Sequence, residues 1–202
     1  NNVSDLWMTS GQSTFKGVFD GNGYKIYNFN VGSAWNTGLF RTVEGTVKNL
    51  TMHCGTYSQS IQGGILAYQI TNGGLVENVY INVDRIDNKG TYTNNGGGFN
   101  GALANTYNIA PSWGIIAFEA KNGGTIKDCV ASGNFDNTSA LALKDLGAVN
   151  ADIDGANFKG FAAGGTQTGN TLIININKGG SSSLGGTVAG VTSIFVHFSE
   201  IT

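Results

Sequence analysis

The sequence predicts an all-β chain wound as a parallel β-solenoid, and three observations carry that prediction. A pattern of aliphatic, polar, Asn or Asp, then apolar occurs four times, as Ile26-Tyr27-Asn28-Phe29, Val47-Lys48-Asn49-Leu50, Val76-Glu77-Asn78-Val79 and Ile126-Lys127-Asp128-Cys129. Three copies carry the same upstream phrase, a Gly with two large apolar residues and then a Gly turn: Gly38-Leu39-Phe40 to Gly45, Gly64-Ile65-Leu66 to Gly74, and Gly114-Ile115-Ile116 to Gly124. Gly supplies 32 of 202 residues and Pro only 1. Such a chain turns often through positive-φ positions and rarely loses a ladder donor.

The Asn/Asp positions lie 21, 29 and 50 residues apart. A unit of roughly 20 to 30 residues fits, with one unit absent or overwritten between Asn78 and Asp128. A unit of that size cannot bury its own apolar face, so neighbours must stack to close a core, leaving long exposed faces. The apolar runs are short, β-branched or aromatic, and separated by Gly, Asn and Asp, which is strand and turn chemistry. At roughly 25 residues per coil and about 4.8 Å between coils, some seven or eight coils make a rod on the order of 35 to 40 Å long.

Along the chain, a single domain over residues 1–202 divides into three kinds of segment. Residues 1–82 and 113–136 hold the clear repeats, 83–112 form an insertion or irregular coil, and 137–202 hold degenerate coils and a cap. Leu39, Phe40, Val47, Ile65, Leu66, Val76, Ile115, Ile116 and Ile126 are the expected core, with alternating members facing a covering loop if the strands are flat. Between Ser193 and Ile201, Ile194, Val196 and Phe198 alternate with Phe195, His197 and Ser199, a half-buried strand. That strand either caps the last coil or leaves an edge for a neighbouring domain or a further copy of the chain.

Charge narrows the partners. Only 12% of residues are charged and the net charge is −2, so there is no basic field for nucleic acid or an anionic bilayer. No apolar run reaches the roughly 18 residues that a membrane span needs, so no membrane insertion is expected of this segment. The chain starts Asn1-Asn2 without Met, as a processed protein or excised domain would. Cys54 and Cys129 occupy different positions in their repeats and have no metal spacing, which favours two buried thiols over a disulfide.

The candidate sites are few. Asn28, Asn49, Asn78 and Asp128 are expected to stack as a structural ladder at one corner, where Asn tolerates left-handed backbone and its amide reaches the next coil. Asn150, Asp152 and Asp154 before Gly155 match the first half of a calcium loop, but Phe161 stands where a bidentate Glu is needed. A polar turn is therefore favoured over a Ca2+ site, and no other cofactor is expected. In the insertion, Tyr92, Phe99, Tyr107 and the adjoining Trp113 are the candidate ligand-binding aromatics, with core packing as the competing role. Asp84, Arg85 and Asp87 form the densest charge cluster and read as a solvated turn, while His53 and His197 lie in different repeats without a catalytic partner at known spacing.

The run Phe15-Lys16-Gly17-Val18-Phe19-Asp20-Gly21-Asn22-Gly23-Tyr24-Lys25-Ile26, preceded by Trp7 and followed by Gly38-Leu39-Phe40 and Gly45-Thr46-Val47-Lys48-Asn49-Leu50, resembles the GLUG-motif repeat domains of bacterial surface proteins. The resemblance covers about Trp7 to Ile81 and returns from Trp113 to Gly133; the family's second Gly is replaced by Arg41, Ala67 and Ala117. It implies a right-handed parallel β-helix and an extracellular or cell-surface setting. The expected function is a non-catalytic module, an adhesin stalk or ligand display, whose partner is a host or environmental glycan or protein. A carbohydrate-active β-helix enzyme and a phage fibre or receptor-binding segment are the alternatives, since a fold does not fix a function.

Overall fold

A computed structural model of the chain describes residues 14–31, 35–58, 62–87, 92–94, 107–109, 112–135, 151–153, 156–158, 161–176 and 193–198. Every regular element among them is a β-strand, and most strand pairs run parallel, consistent with a β-helix-like fold. One sheet stacks Thr14–Phe15, Phe40–Val43, Ala67–Ile70 and Ala117–Ala120 in that order. A second stacks Trp35–Thr37, Gln62–Gly63, Ser112–Trp113 and Ala156–Phe158 in parallel and ends on the antiparallel strand Ala151–Ile153. The largest sheet is built around Thr46–Ser58 and Leu75–Asp87, which match in register from Thr46↔Leu75 to Ser58↔Asp87.

Register turns the repeated sequence pattern into columns. Val47 pairs with Val76 and Val76 with Ile126, and all three are fully buried. Further along the same strands, Leu50, Met52 and Cys54 pair with Val79, Ile81 and Val83, again all buried, while Thr51 and His53 between them are partly exposed. This is the period-two alternation of a strand with one face on a core. The nine apolar residues expected in the core are all buried. Both members of the pairs Ile65-Leu66 and Ile115-Ile116 point inward, rather than one facing a covering loop, because the backbone there is a bend and strand alternation does not apply.

The turn glycines have a steric reason. A Cβ on Gly74 would overlap the Val43 carbonyl oxygen, and one on Gly124 would overlap that of Ile70, so only Gly lets neighbouring turns approach this closely. The turns just before them use left-handed backbone at Asn72-Gly73 (φ 50° and 78°) and Asn122-Gly123 (φ 49° and 83°).

Two features differ from the sequence expectation. Leu75–Asp87 pairs directly with Thr125–Lys127 and Val130–Phe135, so the 50-residue spacing is one repeat with a long connection and no unit is missing. That connection contains its own antiparallel ribbon, Tyr92–Asn94 against Tyr107–Ile109. The deepest ladder among the described residues runs through six strands, Lys25–Val31, Thr46–Ser58, Leu75–Asp87, Val130–Phe135, Thr171–Ile176 and Ser193–Phe198.

A fifth repeat lies in the stretch that sequence spacing treats as degenerate. Phe161, fully buried, accepts hydrogen bonds from the N–H groups of Ile116 and Ala117 and so occupies the next layer of the apolar corner. In the same repeat Gln167 pairs with Ile126, and buried Asn170 takes the place below Cys129. The core turns polar here, and Asn170 spends its amide on backbone, accepting from Cys129 N–H and donating to Ile126 carbonyl.

Candidate functional site: a polar groove on the left-handed corner

The corner that follows the Val47, Val76 and Ile126 column is left-handed in four successive layers. Asn49, Asn78 and Asp128 have φ of 51°, 50° and 51°, and Gly169 continues the column at 69°. Asn and Asp are the non-Gly residues that best tolerate this conformation. Stacked in register, their side chains meet: Asn78 Nδ2–H donates to Asn49 Oδ1 at 2.7 Å, and Asn49 Nδ2–H donates to Asp20 Oδ1 at 3.0 Å. The Asn22 backbone N–H also donates to Asp20 Oδ1, at 2.9 Å, and Lys48 Nζ stands 3.7 Å from Asp20 Oδ2. The Asn49 amide, then the Asn22 N–H and Lys48, hold the Asp20 carboxyl below the usual carboxylate range.

Asn28 stands outside this column. The strand pairing sets Ile26 opposite Met52 and Phe29 opposite Cys54, with a register shift between them, and Asn28 sits in that irregularity at φ 57°. Its left-handed backbone serves a bulge inside a strand. The position that faces Asn49 from the first repeat is Gly21, whose N–H donates to the Lys48 carbonyl.

Beside the column lies an open groove of about 400 Å³, lined by Asn22, Gly23, Asn49, Thr51, Asn78 and Tyr80, with Leu50 at its base. Tyr24 and Tyr27, next to it in the chain, are 76% and 61% exposed. The Tyr27 and His53 rings stack with centroids 4.9 Å apart, and His53 meets Tyr80 edge-on at 6.4 Å. Tyr80 Oη shares a hydrogen bond of 3.1 Å with Ser132 Oγ, which also accepts from Asn82 Nδ2 at 2.7 Å. The groove thus offers carboxamides, hydroxyls and an aromatic edge, with the Asp20 carboxylate bonded to one of its amides. Sequence reasoning missed it, because Tyr27, His53 and Tyr80 share no common offset from the repeated Asn.

The aromatic candidates of the insertion do not fall on one element. Tyr92 and Tyr107 belong to the antiparallel ribbon, where Tyr92 pairs with Ile109 and Tyr107 with Asn94. Trp113 belongs to a parallel sheet, paired with Gly63 and Phe158. Phe99 lies outside the described residues. Of the half calcium motif, Asp152 is on Ala151–Ile153 opposite Asn157, while Asn150 and Asp154 lie outside the described residues. Phe161, at the position a liganding Glu would hold, is fully buried. Among the described residues no three His, Cys, Asp or Glu side chains cluster as a metal set.

Asp84 is exposed on Leu75–Asp87, the strand that also carries Arg85 and Asp87. Cys54 and Cys129 are free and buried; burial pushes their thiols up to about 12 and about 11. No helix among the described residues is long and apolar enough to cross a membrane. The chain matches no family model, no curated protein and no solved structure.

Proposed function

We propose that the chain is a right-handed parallel β-helix and works as a non-catalytic module of a bacterial cell-surface protein, a stalk that displays a ligand-binding face. The observation that carries this reading is the unbroken register from Val47 through Val76 and Ile126 to Gln167, with the left-handed corner of Asn49, Asn78, Asp128 and Gly169 beside it. Stacked repeats of this kind contact only their neighbours and present continuous lateral faces, which suits display along a rod. The resemblance to GLUG-motif repeats supports the surface setting. The groove beside Asn49 and Asn78 supports binding, because its amides and hydroxyls are recognition chemistry.

A glycan array read beside a reducing-sugar assay on the same preparation tests the proposal. Retention of a glycan with no release of sugar ends is expected. Release of reducing ends from a bound polysaccharide would overturn it in favour of an enzyme.

A further inference from the structure

We infer that the groove bounded by Asn22, Gly23, Asn49, Thr51, Asn78 and Tyr80 is a binding site for an uncharged saccharide chain lying along the stacking axis; the inference rests on the display reading above. Its lining is made of groups that both donate and accept. A carboxamide has two N–H donors and a carbonyl, and a hydroxyl has one donor and two lone pairs, so this wall matches a surface of sugar hydroxyls, which have the same dual character. The column uses one N–H of Asn78 and one of Asn49, so each amide keeps a further N–H for a ligand.

The hydrogen-bond chain also polarises the wall. Asn78 donates to Asn49, and Asn49 donates to the Asp20 carboxylate, an ordering that fixes which way each amide points before a ligand arrives. Such pre-set donors bind without the entropy loss of orienting them. Because Asn49 and Asn78 occupy adjacent layers, their amides recur at about the 4.8 Å strand spacing, and a polymer with hydroxyls at regular intervals can engage both.

Charge selects against acidic chains. The lining holds no Lys or Arg, and Lys48, next to Asn49 in the chain, is engaged with Asp20, which stays ionised at neutral pH. A uronate seated at Asn49 would face that carboxylate. The exposed Tyr24 and Tyr27 rings stand at the first-repeat end, where they can cover the C–H face of a terminal sugar. A peptide strand is a poorer fit, since the corner backbone of Gly21 and Gly23 already donates to Lys48 and Asn49 carbonyls and offers no free edge to extend.

The test is calorimetric titration of the whole chain with neutral hexasaccharides of glucose and of N-acetylglucosamine, and with hexagalacturonate as the anionic comparator. Binding of at least one neutral probe is expected, with hexagalacturonate weaker by about tenfold or more. Gly23→His places a side chain in the groove where no atom lies within 4 Å of its Cβ, at a left-handed position (φ 78°) that strains any side chain, but His less than most. It should weaken the neutral probe by about tenfold while the far-UV spectrum holds. Should Gly23→His fail to fold, Thr51→Val carries the same expectation at a strand position.

The site is overturned if no neutral probe binds, if hexagalacturonate binds as well as they do, or if both variants bind with unchanged affinity. In that last case array binding would persist, and the display proposal would survive without the groove. Array silence together with sugar release would sink the display proposal itself.

Discussion

Asn78 donates its side-chain N–H to the Asn49 side-chain carbonyl at 2.7 Å, although the two residues are 29 positions apart in the chain. Both are held at φ near 50°, so backbone conformation and side-chain pairing are coupled at this corner. Each Asn is there for its tolerance of left-handed backbone and for its amide.

The two roles separate by substitution. Asn78→Gly keeps the backbone and loses the amide bond, whereas Asn78→Ala loses the bond and strains the corner by a further 1–2 kcal/mol or so. The Ala variant should therefore be the less stable of the two in urea titration. Equal midpoints would mean that the left-handed corner carries no strain for Ala.

Val76 sits fully buried between Val47 and Ile126. Val76→Ala should destabilise by about 2 kcal/mol through lost burial and a residual cavity. A denaturant midpoint that stays put would mean the layer collapses to fill the gap.

Gly73 and Gly74 are adjacent and should respond differently. Gly74→Ala drives a Cβ into the Val43 carbonyl, an overpacking error of about 1–3 kcal/mol or more. Gly73 has φ 78° and open space around its Cβ, so Gly73→Asn meets only left-handed strain, which Asn tolerates best, and should cost less than Gly74→Ala. Paired thermal melts decide the matter, and a silent Gly74→Ala would contradict the close approach of the two turns.

Asp20 predicts an acid limb. Its folded value lies below the ordinary 3.8, so the stability it contributes is complete above that value and is lost as pH falls through the lower one. Asp20→Asn should melt with less pH dependence than the parent between about pH 5 and about pH 2. Parallel acid limbs would place the titration elsewhere.

Burial pushes the Cys54 and Cys129 thiols up to about 12 and about 11, so near pH 8 both are almost wholly protonated. A thiol reagent such as DTNB should leave the native chain untouched and titrate both cysteines after denaturation. Rapid native labelling would mean that the strand carrying Cys54 opens readily.

The all-β class and the buried columns were legible because they rest on positions with steep physical requirements. Val47, Val76 and Ile126 repeat at the same distance from a left-handed Asn or Asp, and little except a stacked corner asks for that combination. Asn28 misled because a bulge asks for the same residue in the same conformation, and only register tells the two apart. Gly169-Asn170 escaped notice because Gly replaced Asn in the column and Asn replaced an apolar residue in the core, so the letters changed while the backbone did not. The groove left almost no trace: Thr51, Tyr80 and their neighbours face outward, where packing imposes no pattern on the chain.

The long match between Thr46–Ser58 and Leu75–Asp87 has a consequence for the order in which the chain acquires structure. Its partners are separated by 29 residues, against 50 for the step from Leu75–Asp87 to Val130–Phe135, and the shorter loop closes at roughly 0.5 kcal/mol less entropic cost. The pair with the longest continuous register thus closes over a shorter loop than the step that follows it. It is the natural nucleus, with the later repeats adding onto an edge that already exists. In pulse-labelled hydrogen exchange the amides of Val47 to Cys54 should gain protection before those of Ala131 and Leu172, and the reverse order would place the nucleus at the other end of the ladder.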